Sequence, residues 1–140
     1  MKVYLTRRYW ISASHRLHNA AFSEDKNRTT YGKCNNPYGH GHNYAIEVTV
    51  AGGIERTTGM VCNMVDLDAV VRQHVIEPFD HQDLNHKTEF LNLVPTTENL
   101  AVVIFNILKP QLTFTHLEKV RIEETSNNSF EYAGGAEPKS

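Results

Sequence analysis

His15, His40 and His42 carry the strongest chemical signal in this chain. Two of them lie in Gly39-His40-Gly41-His42-Asn43-Tyr44, which leads into an alternating strand. Alternate residues of a strand project from one face, so this pair can share one cation. His15 closes an earlier alternating segment and can add a third imidazole from a neighbouring strand. Three neutral imidazoles suit zinc, and three protein ligands leave a coordination position open for water or substrate. A His-x-His pair alone is a weak signal; the third histidine and the nearby Cys34 strengthen it. Cys34 also keeps a second arrangement open, a closed structural zinc site with its thiolate as fourth ligand.

Other residues have the right types for proton chemistry. Cys34 lies among Lys33, Asn35 and Asn36, poor company for a core thiol. A cation and imidazoles nearby would lower its pKa and make it a general base or nucleophile. Cys62 reads instead as a small buried apolar residue. Asp80-His81 pairs a carboxylate with an imidazole at a loop start and could relay a proton to or from Cys34. Glu98 falls in the first turn of an expected helix, where a carboxylate suits the helix dipole. It could also accept two parallel N–H bonds from an amino-heterocycle, with Thr97 adding a further bond. Val120 and Ile122 as the apolar set of a strand put Glu124 on the inner face, where a carboxylate needs a partner, a metal or a role. His18, His74, His86 and His116 read as surface or satisfied core residues, and Arg16 and Lys33 as solvated charge or phosphate contacts.

These residues need a frame. The chain has 140 residues, which fits one domain, 1–140, able to bury a core without disulfides. Two cysteines indicate no disulfide framework, and a cytoplasmic setting is expected. The segment Met1–Trp10 has no long apolar run, and no stretch approaches a membrane span. The net charge of −2 gives no general attraction to nucleic acid or an anionic membrane. Residues 2–15 read as a strand, 18–39 as a long polar loop, and 41–51 as the clearest strand. A first helix starts near Asp66 and ends at Pro78. A second follows Pro95, with Thr96 as N-cap and Leu100, Val103, Ile104, Ile107 and Leu108 as its apolar stripe. Strands over 118–125 and 129–133 flank a turn at Asn127-Asn128, and the tail from Gly134 reads as frayed. The order β-β-α-α-β-β predicts an α+β fold: a four-stranded antiparallel sheet with two helices on one face. Its free edges favour a cyclic homo-oligomer that closes a barrel.

Taken in order, Ser12-Ala13-Ser14-His15-Arg16-Leu17, Gly32-Lys33-Cys34-Asn35-Asn36-Pro37, Gly39 to Tyr44, Asp80-His81, Thr96-Thr97-Glu98-Asn99 and Glu124-Thr125 resemble the 6-pyruvoyltetrahydropterin synthase family. The resemblance implies a tunnelling fold whose trimers close a barrel and stack as a hexamer. It implies zinc on His15, His40 and His42, and Cys34 as proton acceptor. Asp80 and His81 would come from a neighbouring subunit, Thr97 and Glu98 would anchor the pterin ring, and Glu124 would assist proton transfer. The implied reaction turns 7,8-dihydroneopterin triphosphate into 6-pyruvoyltetrahydropterin and triphosphate. Related 6-carboxytetrahydropterin synthases of the queuosine pathway share the substrate and most of this set. The five residues between Cys34 and His40 favour the pyruvoyl product, while Phe79 and Leu84-Asn85 keep the carboxy product open. A branch that cleaves the pterin side chain carries glutamate at the cysteine position, and Cys34 argues against it. A non-catalytic zinc-stabilised module that binds a pterin or purine is the alternative of another class.

Overall fold

The structure is a computed structural model that describes residues 1–135. Two long strands, β1 (Val3–His15) and β2 (His40–Gly52), pair antiparallel over their whole length. Strand β4 (His116–Thr125) pairs with the other side of β2, and β5 (Asn128–Tyr132) forms a hairpin with β4. The hairpin turn is Ser126-Asn127, one residue earlier than the sequence suggests. A two-residue strand, β3 (Gln82–Asp83), pairs parallel with β1 at Ala13 and Ser14. The sheet therefore has five strands in the order β3-β1-β2-β4-β5, which corrects the expected four-stranded, wholly antiparallel sheet. A two-residue strand is too short for a periodicity signal.

Period-two alternation sorts the side chains. Ile11, Tyr44, Ile46, Val48, Val50, Val120 and Ile122 point to one face and are almost fully buried. Helix α4 (Thr97–Leu108) lies on that face through Leu100, Ala101, Ile104, Phe105 and Leu108. Val103 and Ile107, expected in the stripe, are only partly buried. Thr96 caps α4 by accepting from the Asn99 backbone N–H at 3.1 Å. The other helix begins as α2 (Met64–Val71), passes through a π turn at Arg72–Ile76 and ends in the short α3 (Glu77–Phe79). Pro78 thus sits inside the last turn instead of ending the helix, because the widened turn before it absorbs the misfit.

The expected long loop is the larger correction. Residues 24–31 form helix α1 (Glu24–Tyr31), followed by a 3₁₀ turn at Gly32–Asn35. Ser23 caps α1 by accepting from the Lys26 N–H at 3.1 Å. Asn27 is fully buried and ties the helix to the segment after β1, accepting from the Asn19 N–H at 2.8 Å and donating to the Asn19 carbonyl at 3.0 Å. Among the described residues no helix is long and apolar enough to cross a membrane. The tail expected to fray lies outside the described residues from 136 on.

A polar clasp joins β1 to α2. Arg7 donates to both Asp68 carboxylate oxygens, at 3.1 and 2.7 Å, and the Tyr9 hydroxyl donates at 2.6 Å. These bonds hold the Asp68 carboxyl below its usual range, Arg7 first among the causes. The clasp therefore contributes fully above the unfolded carboxyl pKa, about 3.9, and fades as pH falls through the lower folded value. Asp68→Asn should lower the urea midpoint at pH 7 by about 0.5 M. The gap between variant and parent should narrow at pH 3. An equal gap at both pH values would contradict an ionic origin.

Candidate metal centre and active site

The end of β1 and the start of β2 meet in one register. His15 lies opposite His40, Ala13 opposite His42, and Ile11 opposite Tyr44. Side chains of paired residues share a face, so all three imidazoles stand on the helix-covered side. The small Ala13 leaves room for the His42 ring. Gly39 makes the register possible: its φ is +73°, and a Cβ there would lie 3.2 Å from the His15 carbonyl oxygen. Any other residue would be strained and would press on the end of β1.

One ring nitrogen from each of His15, His40 and His42 lies within 4.8 Å of the others. His15 Nε2 and His40 Nε2 are 3.2 Å apart, close to the roughly 3.4 Å expected of two nitrogens on one tetrahedral zinc. Buried His42 Nε2 has no hydrogen-bond partner. A buried imidazole nitrogen without a partner is costly unless a ligand satisfies it. Burial lowers the pKa of His15 and of His40, which favours the neutral, metal-binding form. The donor set therefore fits a divalent cation. Cys34 is not part of the nitrogen cluster, so the set is three imidazoles without the thiol.

Around the triad, His15 is held from behind. Its ring is 1% exposed, and Nδ1 donates to the Pro95 carbonyl at 2.8 Å, which leaves Nε2 free to coordinate. The Tyr44 hydroxyl lies 3.2 Å from the same Nδ1. Asn99 donates from its side chain to the Val94 carbonyl at 2.8 Å and so fixes the turn that presents Pro95. Pro95, Tyr44, Asn99 and Gly39 were not among the expected site residues. Three act through the backbone or through another residue, which no residue-type pattern reports.

Glu124 points inward as its strand parity requires. Its Oε1 lies 3.3 Å from His42 Nε2 and 3.9 Å from His15 Nε2, and Asn128 donates to Oε2 at 3.1 Å. Cys34 is tied to the end of β1 by the Leu17 N–H, which donates to its carbonyl at 2.7 Å. Its thiol pKa is raised, first by burial and then by the Glu124 carboxylate, which corrects the expected lowering. Lys33, the expected cation, lines a groove beside the site. A divalent cation on the triad would act on the thiol in the opposite sense. Thr97 is buried, its hydroxyl unpartnered, and faces Tyr44.

Three expected site residues stand apart. Glu98 is exposed on the first turn of α4. Asp80 and His81 clamp the outer edge of β1: Asp80 Oδ1 accepts from the Ser12 N–H at 2.7 Å, and the His81 N–H donates to the Ser12 carbonyl at 2.6 Å. His81 Nε2 lies 3.5 Å from Asp80 Oδ2, and the ring is 80% exposed. His81 is also the one non-glycine residue with positive φ, +59°, among the described residues. It walls a depression with Ser12, Ser14 and Asn43, whose side chains point to the sheet face away from the triad. Among the described residues no hydrogen bond or ion pair joins His81 or Glu98 to Cys34.

The dependence on Gly39 can be measured against Gly59, which has the same φ of +73° but open space around its Cβ position. Gly59→Ala should cost only the backbone term, about 1 kcal/mol. Gly39→Ala should cost about twice that and also lower metal stoichiometry, although it replaces no ligand. Denaturant unfolding and elemental analysis of both variants test this. Equal losses with unchanged metal would contradict the role given to Gly39.

Comparison with known proteins agrees with this arrangement. The family model described as 6-pyruvoyl tetrahydropterin synthase matches residues 4–135. The chain is 46% identical over 132 residues to the 6-pyruvoyl tetrahydrobiopterin synthase of Poecilia reticulata, covering 94% of this chain and 90% of that one. It is 44% identical over 131 residues to the Homo sapiens protein of the same name, covering 93% and 90%. The solved structure of Caenorhabditis elegans 6-pyruvoyl tetrahydropterin synthase superposes with a TM-score of 0.91 at 39% identity, covering 96% of this chain and 97% of that one. With the match running through every element that bears the site, the chain belongs to the 6-pyruvoyl tetrahydropterin synthase family.

Proposed function

We propose that this chain is a carbon–oxygen lyase that converts 7,8-dihydroneopterin triphosphate into 6-pyruvoyltetrahydropterin and triphosphate. The observation that carries the reading is the convergence of three imidazoles beside a half-buried carboxylate and a thiol. The similarity to relatives bearing the synthase name supports the choice of substrate. His15, His40 and His42 would hold the cation, which we take to be zinc from the all-imidazole set. When bound, it would act as a Lewis acid on side-chain oxygens of the substrate.

The chain's own groups supply the proton handling. Cys34 Sγ is the proton acceptor and donor, and a cation held by the triad would favour its thiolate form. Glu124, held by Asn128, receives or returns a proton at the same side of the triad. Thr97 and Glu98 anchor the pterin ring, the carboxylate matching two parallel N–H donors. Asp80 orients His81, which relays a proton to a neighbouring subunit's site. The exposed position of His81, on a sheet face where Trp10 is 61% and Tyr4 56% exposed, supports a site completed between subunits. The assembly we propose is the tunnelling-fold barrel, trimers stacked as a hexamer, built from one 1–140 domain and working in the cytoplasm.

Mass analysis of the product made from dihydroneopterin triphosphate, without added reductant, tests the activity. The pyruvoyl product with released triphosphate is expected; a carboxy product or no turnover would contradict the proposal. Cys34→Ala should keep fold and metal while losing most turnover, about 10²-fold or more. His42→Ala should lose the metal. Loss of metal in Cys34→Ala would point instead to a structural site. Mixed oligomers of Cys34→Ala and His81→Ala should recover activity at about a quarter of the sites by random pairing, if the site spans subunits. No recovery in an oligomer shown to be mixed would contradict an intersubunit site.

A further inference from the structure

Beside the triad runs a groove of about 1020 Å³ that none of the roles above uses. One wall is α1 and the 3₁₀ turn after it, contributing Arg28 and Lys33. The other is the chain leaving β1, contributing Arg16 and His18, and the groove reaches His40. Three fixed cations face it against one carboxylate, Glu24, in a chain whose net charge is −2. The excess of positive charge is therefore local to this groove.

The cations are positioned for a ligand. Arg16 donates its Nε–H to the Asn35 carbonyl at 3.1 Å, which fixes the guanidinium in the wall. Among the described residues its terminal nitrogens make no hydrogen bond to protein. Lys33 has no ion pair among the described residues, and Arg28 pairs only with the exposed Asp25. The Asn35 side-chain amide donates to the Leu17 carbonyl at 2.8 Å and to His18 Nδ1 at 3.0 Å. His18 therefore carries its hydrogen on Nε2 and adds a neutral donor. Clustered cations, one of them fixed in the wall, a neutral N–H and a cavity of small-molecule size are what a polyphosphate chain requires.

We propose that this groove holds the triphosphate tail of the substrate, with Arg16, Arg28 and Lys33 as its charged contacts and His18 as a neutral one. The assignment rests on the proposed function for the identity of the tail, but the site itself is testable without it. The groove runs to His40, so a tail seated there points its attached carbon chain at the triad. Arg28 and Lys33 come from a segment that carries no apolar stripe, so their removal leaves the core untouched.

The experiment is calorimetric titration of the metal-loaded protein with inorganic triphosphate, alongside titration with unphosphorylated dihydroneopterin. Arg28→Ala and Lys33→Ala should each weaken triphosphate binding about tenfold, and the pair together about 30- to 100-fold. Affinity for the unphosphorylated pterin should stay within about twofold, since it brings no phosphate to the charged contacts. The charge-keeping pair Arg28→Lys and Lys33→Arg should retain most of the affinity, which excludes misfolding as the cause. The alanine pair should also raise KM for dihydroneopterin triphosphate. Triphosphate affinity unchanged in the alanine pair, as chelation by the metal alone would give, overturns the proposal. Lost inorganic triphosphate binding with an unchanged KM overturns the assignment to the substrate's tail. A parent protein that binds triphosphate through Arg28 and Lys33 but turns over no pterin supports the subsite and removes the proposed reaction instead.

Discussion

The structure depends on one pairing: the register that sets His15 across from His40 at the mouth of the β1–β2 ladder. A slip of one residue would turn every side chain of β1 to the opposite face. Ile11 and Tyr9 would leave the core, and His15 would leave the triad. The hydrophobic pattern that stabilises the sheet thus also places the ligands. Gly39 protects the register locally, since its missing Cβ lets β2 enter against the His15 carbonyl. Fold energy and metal geometry are here the same constraint.

Helix α4 supplies the second restraint. Its buried stripe packs over β4 and β5, and the turn before its N-cap delivers the Pro95 carbonyl to His15 Nδ1. The imidazole is caught between a backbone acceptor behind and the other two rings in front. Its tautomer and orientation are settled before any ion arrives. Glu124, on the strand that packs under α4, is fixed by the same inner-face alternation and by Asn128. The site is therefore assembled on regular elements, with Cys34 alone standing on a short turn beside it.

Much of this was legible in the residues, for physical reasons that differ between elements. The triad was readable because period-two alternation fixes faces, and Glu124 because Val120 and Ile122 fix its parity. Helix α4 was readable from its i, i+4 stripe. Helix α1 was not, because it buries a polar residue, Asn27, and has no apolar stripe. Only the Ser23 cap, the acidic pair Glu24-Asp25 and Gly32 announced it. The thiol of Cys34 departs from its expected behaviour because burial, and after it the carboxylate of Glu124, raise its pKa, and neither shows in its neighbours along the chain. His81 and Glu98 sit away from the triad within one chain, and the exposed aromatic face of the sheet gives the physical reason to look for their partners in a second copy.

The central claim is that the three imidazoles hold a divalent cation without sulfur. X-ray absorption at the metal edge of the purified protein tests it most directly. The account predicts nearest scatterers of nitrogen and oxygen only, at about 2.0–2.1 Å, with the outer signals of imidazole rings. A sulfur scatterer at about 2.3 Å, or protein that carries no metal, would contradict it.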